Sequence, residues 1–89
     1  MGSLDSKDFV LTRHAEHMLR ERRIAREWVR RALGRPDWTE QDKSNRSLRH
    51  ALCGIAERGD LILRVVYDPS ATPRRVVTAF FDRGARRRS

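Results

Sequence analysis

At 89 residues, 38% hydrophobic and 36% charged, the chain can bury one modest core, which excludes a second domain. Its 20 basic and 12 acidic residues leave a formal net charge of +8, with a pI near 11.3. Such a balance points to a polyanionic partner, nucleic acid first. Arginine supplies 18 of the 20 cations, Lys7 and Lys43 being the only lysines, and its planar fork suits bidentate phosphate binding and stacking on bases.

Residues 1–8 read as a flexible N-terminus without the apolar core of a signal peptide. From Leu11 to Pro36 the pattern is that of a helical hairpin. Thr12 is a candidate N-cap, and Ala15, Met18, Leu19 and Arg22 follow at the spacing of one helical face. Ile24, Trp28, Val29, Ala32 and Leu33 repeat that spacing, and Gly34 before Arg35-Pro36 is expected to end the second helix in a left-handed conformation.

After Pro36 the period becomes strand-like. Trp38-Thr39 opens a short strand, Gln41–Arg46 is a polar loop, and Ser47–Ile55 pairs with Leu61–Tyr67 across the turn at Glu57–Asp60. A loop from Asp68 to Pro73 leads to a last strand, Arg75–Phe81. The expected fold is α+β, with two N-terminal helices on one face of a three- to four-stranded antiparallel sheet. Residues 9–82 form the single domain and residues 83–89 a basic tail. Met18, Leu19, Ile24, Val29 and Leu33 should bury against Leu63, Val65 and Val77. Alternation places Arg64 with Ile62 and Val66, and Thr78 with Val76 and Phe80, on the opposite face.

His14 lies one to two helical turns before Arg20 and Arg22, so an imidazole that exchanges protons near neutral pH and two phosphate-binding guanidinium groups can share a face. The competing reading makes His14 a capping or partly buried residue and the arginines a solvated face. Metal binding is the rival use of the histidines, through His14 with His17 or through His50-x-x-Cys53. Residues three apart on a strand point to opposite faces, so the second pair cannot easily share an ion and no metal is expected. Ser44, Ser47 and Ser70 carry no triad signature, and no glycine-rich phosphate loop or other cofactor motif occurs. With one cysteine, Cys53, no intrachain disulfide forms, and no apolar run spans a bilayer. A cytoplasmic protein is expected.

Four short motifs in order then resemble a bacterial family known as domain of unknown function 4258. They are Leu11-Thr12-x-His14-Ala15, Arg22-x-Ile24, Ala32-Leu33-x-x-Pro36 and Val76-Val77-Thr78-Ala79, and the resemblance covers roughly residues 9–82. That family in turn resembles the RelE, ParE and BrnT toxins, which implies a RelE-like fold shared with metal-independent ribonucleases. Against the family pattern, Arg23 replaces a frequent glycine, Ala25 the serine that would cap the second helix, Met18 a common arginine, and Phe80 a frequent tyrosine.

The resemblance implies a metal-independent endoribonuclease of toxin–antitoxin type. Such cleavage needs a base for the 2′-OH proton, cations for the phosphorane and an acid for the leaving oxygen. His14 is the candidate base or acid, Arg22 and Arg64 the phosphate clamps, and Thr78 a hydrogen-bond donor. Arg20, Arg46, Arg49 and His50, with Arg86, Arg87 and Arg88 of the tail, are candidate RNA contacts. Each has a plainer role: Arg22 can answer the helix dipole, Arg64 can pair with Asp60 or Glu57, and Thr78 is a good strand former. The alternative function is a non-catalytic basic module that binds nucleic acid or an acidic antitoxin-like protein, and the missing hydroxyl at Phe80 favours it.

Overall fold

Thr12 both ends a strand and starts a helix, and this double role organises the N-terminal half. The computed structural model describes residues 9–85. The elements are β1 (Phe9–Leu11), α1 (Arg13–Arg22), α2 (Arg26–Gly34), β2 (Trp38–Gln41), β3 (Arg49–Ile55), a 3-10 turn at Ala56–Arg58, β4 (Leu61–Asp68) and β5 (Arg74–Phe81). Thr12 donates its backbone N–H to the Val76 carbonyl at 3.0 Å, which closes the β1 ladder. Its hydroxyl accepts from the Ala15 amide at 3.0 Å, which caps α1.

The strands form one five-stranded sheet in the order β1-β5-β4-β3-β2. β1 is parallel to β5, and the other neighbours are antiparallel. This corrects the expected three- to four-stranded antiparallel sheet. Phe9–Leu11 has only three residues, too few to display a period of two, and its partner lies at the far end of the chain. A parallel pair needs a long crossover, which here is everything between the two strands.

Both helices lie on one face. Ala15, Leu19, Ile24, Val29, Ala32 and Leu33 pack against Phe9, Ala51, Cys53, Ile55, Leu63, Val65, Tyr67, Val76 and Ala79. Two core expectations fail. Met18 is only half-buried, and Val77 is replaced by Val76. A bulge between Val66 and Tyr67 pairs Val66 with Thr78 but Tyr67 with Val76. The extra residue, Val77, reverses the alternation, so Val76 no longer shares a face with Thr78 and Phe80.

The left-handed helix end also moves. Arg23, at φ 56° and ψ 49°, terminates α1, with Ile24 N–H bonded to the Leu19 carbonyl at 2.8 Å and Arg23 N–H to Arg20 at 3.3 Å. That is a Schellman end. Gly34, expected to be left-handed, is instead the last residue of α2, and Ala25 begins that helix with no side-chain cap.

The helix-free face is not bare. Leu52 is fully buried there, and Ile62 and Val66 nearly so. Trp38 and Arg64 are the cross-strand neighbours of Leu52, placed to cover it with an indole and an aliphatic stem.

Candidate nucleic-acid interface

Arg64 sits at the centre of that second face. Its Nε donates to Asp82 Oδ2 at 2.8 Å and its Nη1 to Glu40 Oε1 at 3.0 Å, while Nη2 lies 2.8 Å from Asp82 Oδ2. Nη1 also lies 2.8 Å from His50 Nδ1. A guanidinium only donates, so Nδ1 must present its lone pair and the imidazole proton is assigned to Nε2. That nitrogen meets Asp42 Oδ1 at 2.7 Å. Both ring nitrogens of His50 are therefore occupied.

The charges respond accordingly. The Trp38 indole, then Arg64, hold the Glu40 carboxyl below the usual carboxylate range. His50, then the Asn45 amide, do the same for Asp42. Burial pushes Asp82 up, but Arg64 and the amides of Gly84 and Ala85 outweigh it, and its carboxyl sits low. Burial likewise works against the Arg64 charge, yet Glu40 and Asp82 prevail and hold its pKa above the usual value. This cluster pins the loop after β2 and the turn after β5 to the sheet. Asp60 and Glu57, the partners weighed for Arg64 from sequence, are not the ones it uses.

A different set of arginines remains without carboxylates. β1 ends at Leu11, so the edge of β5 beyond it has no neighbouring strand, and Arg22 Nη1 reaches across from α1 to donate to the Ala79 carbonyl at 3.3 Å. The same guanidinium lies 5.9 Å from the Phe80 ring centroid. Arg58, from the 3-10 turn, stacks 4.8 Å from the Phe81 centroid and 5.9 Å from that of Trp28. Arg83 follows β5 and is exposed. With Leu61, these residues line a cleft of about 510 Å³ at the end of the sheet.

Two of the acidic residues beside this cleft in sequence, Asp82 and Glu57, are committed elsewhere. Asp82, next to Arg83, is held by Arg64. Glu57, next to Arg58, makes a two-pronged pair with Arg31 at 3.0 and 3.1 Å. Among the described residues no carboxylate pairs with Arg22, Arg58 or Arg83. The cleft thus combines three uncompensated guanidinium groups with two aromatic rings, the combination that takes phosphate and base together.

Among the described residues, Arg22 is the one expected site residue in the cleft. His14 is exposed in the first turn of α1; at 1.5 Å rise per residue, its Cα lies about 12 Å along the axis from that of Arg22. Thr78 faces away from the helices, opposite Val66, and Arg64 is enclosed by its acids. Arg20 is exposed on α1, and Arg46 is exposed in the loop after β2. Arg49 donates to Thr39 at 3.1 Å, on the sheet face opposite His50. Cys53 is buried in the helix-side core, so it and His50 do face opposite ways. Arg86, Arg87 and Arg88 lie outside the described residues, as does the expected flexible N-terminus.

Arg58, Arg83 and Phe81 were not singled out by sequence, and of the cleft's aromatics only Phe80 carried a signal, as the residue in a tyrosine's place. Among the described residues, no three His, Cys, Asp or Glu side chains converge as a metal site, and no helix is long and apolar enough to cross a membrane.

A family model described as Domain of unknown function (DUF4258) matches residues 11–81. No curated protein and no solved structure matches the chain.

Proposed function

We propose that this chain, which belongs to the DUF4258 family, is a basic module that binds single-stranded nucleic acid, RNA foremost, at the Arg22–Arg58–Arg83 cleft. The observation that carries the reading is the segregation of charge. Asp82 and Glu57 are bound by Arg64 and Arg31, which leaves the cleft arginines free for phosphates beside Phe80 and Phe81. An acidic antitoxin-like segment would use the same guanidinium groups, but the aromatic rings favour bases over carboxylates.

Binding is supported over cleavage by what lines the cleft. Arg22, Arg58, Leu61, Phe80, Phe81 and Arg83 include no group that exchanges protons near neutrality. Phe80 lacks the hydroxyl of the family's frequent tyrosine, and both nitrogens of His50 are engaged.

The test is the salt dependence of single-stranded RNA binding, measured by fluorescence anisotropy. Affinity should fall steeply with salt, and Arg22→Ala should make the log–log slope shallower by about 0.7, the share of one phosphate contact to a single strand. Binding indifferent to salt, or a slope that Arg22→Ala leaves unchanged, contradicts the reading. Cleavage in excess EDTA that is lost in His14→Ala would favour the catalytic alternative.

A further inference from the structure

We infer that the Arg22–Arg58–Arg83 cleft is a site for a terminal phosphate with its attached base, that is, a nucleoside monophosphate, free or at the end of a strand. The inference rests on the nucleic-acid reading and sharpens it. A phosphodiester within a strand carries one negative charge, whereas a terminal phosphate carries about −1.5 to −2 at pH 7 and presents three acceptor oxygens. Three guanidinium groups gathered in one cleft, with Asp82 and Glu57 drawn off by Arg64 and Arg31, match the second better than the first.

Size agrees. The cleft holds about 510 Å³, within the range of roughly 300–1,000 Å³ of sites for single small ligands. Its floor is held in place. Arg22 is tied to the Ala79 carbonyl, Arg58 to the Arg23 carbonyl at 3.5 Å and to the Phe81 ring. The turn carrying Arg83 is fixed by Asp82, which accepts from Gly84 N–H at 2.9 Å and Ala85 N–H at 3.1 Å. Of the three arginines, only Arg83 makes no side-chain hydrogen bond, ion pair or ring contact among the described residues, so it is the group free to close on a ligand. The Phe80 ring beside Arg22 offers a stacking surface to an unpaired terminal base, which a base inside a duplex cannot reach.

The experiment compares one short RNA sequence with 5′-phosphate, 3′-phosphate and unphosphorylated ends, using anisotropy at low and at physiological salt and pH 7.5. A strand with a terminal phosphate should bind about tenfold or more tightly than the unphosphorylated strand, the scale of one or two charge-assisted hydrogen bonds. Arg83→Ala should weaken the strand with a terminal phosphate more than the unphosphorylated strand, so that the preference is lost; an equal loss for both would count against the inference. Phe80→Leu should weaken adenosine 5′-monophosphate as a competitor more than it weakens inorganic phosphate. Preference for one end assigns the site to that end, and competition by adenosine 5′-monophosphate with a Kd equal to or smaller than that of the strand end assigns it to the free nucleotide. If all three strands bind equally and salt-dependently, this inference fails and the nucleic-acid reading stands. If none binds at low salt, both fail.

Discussion

Arg23→Gly should stabilise the protein, and the magnitude follows from one dihedral pair. At φ 56° and ψ 49°, Arg23 holds a left-handed conformation that costs an L-residue with a Cβ about 1–2 kcal/mol. Glycine removes that cost but returns about 0.5–1 kcal/mol through its freer unfolded chain. The net gain is therefore about 0.5–1 kcal/mol, or a rise in Tm of roughly 2–8 °C for a domain of this size. The bonds made at this position use backbone atoms: Arg23 N–H to Arg20, Ile24 N–H to Leu19, and Arg58 Nη1 to the Arg23 carbonyl. Glycine keeps all three. Thermal melting followed by circular dichroism is the assay, and Arg23→Ala is the control, since it removes the charge but keeps the Cβ. A Tm unchanged or lowered by glycine refutes the reasoning. An equal rise in the alanine variant would assign the gain to relief of positive charge.

Ala25→Ser supplies the missing cap of α2 and should add about 1 kcal/mol, read as a higher urea midpoint at constant m; no shift would mean the α2 N-terminus is already satisfied. Glu40, Asp42 and Asp82 are all held below the ordinary carboxylate range, so each contributes stability above its unfolded pKa near 4 that is lost as pH falls through its lower folded value. Urea midpoints should thus stay level from about pH 7 to 5 and fall below about pH 4, whereas a midpoint constant down to pH 3 would show that these pairs contribute nothing. Val29 is fully buried, and Val29→Asp should abolish cooperative melting, because an unpaired buried charge costs several kcal/mol, comparable to the whole stability of a small domain.

Local signals in the sequence suffice where neighbours in the chain decide the outcome. Thr12 caps α1 as its hydroxyl chemistry requires, α1 and α2 follow their apolar spacing, and β3, β4 and β5 fall within a few residues of their alternating runs. Arg64 faces away from the helices because Leu63 and Val65 face them. What escaped depends on distant partners. β1 exists only through its pairing with β5, and the bulge at Val77 is a property of two strands together. Gly34 drew the left-handed assignment because glycine is the usual signal, although the chain places Arg23 there, where the family pattern has glycine. The cleft is the extreme case. Arg22 and the Ala79 carbonyl are 57 residues apart, and neither Arg58 nor Arg83 differs from any other surface arginine until the fold sets both in the cleft.

The central claim is that nucleic acid meets this protein at the end of the sheet and not on its helix-free face. The most direct measurement is a titration of isotopically labelled protein with a short single-stranded RNA, followed by amide and arginine side-chain resonances. Shifts should concentrate at Arg22, Arg58, Phe80, Phe81 and Arg83, while Glu40, Asp42, His50 and Arg64 stay largely unmoved. Shifts centred on that second group, or spread evenly over every exposed arginine, would contradict the account.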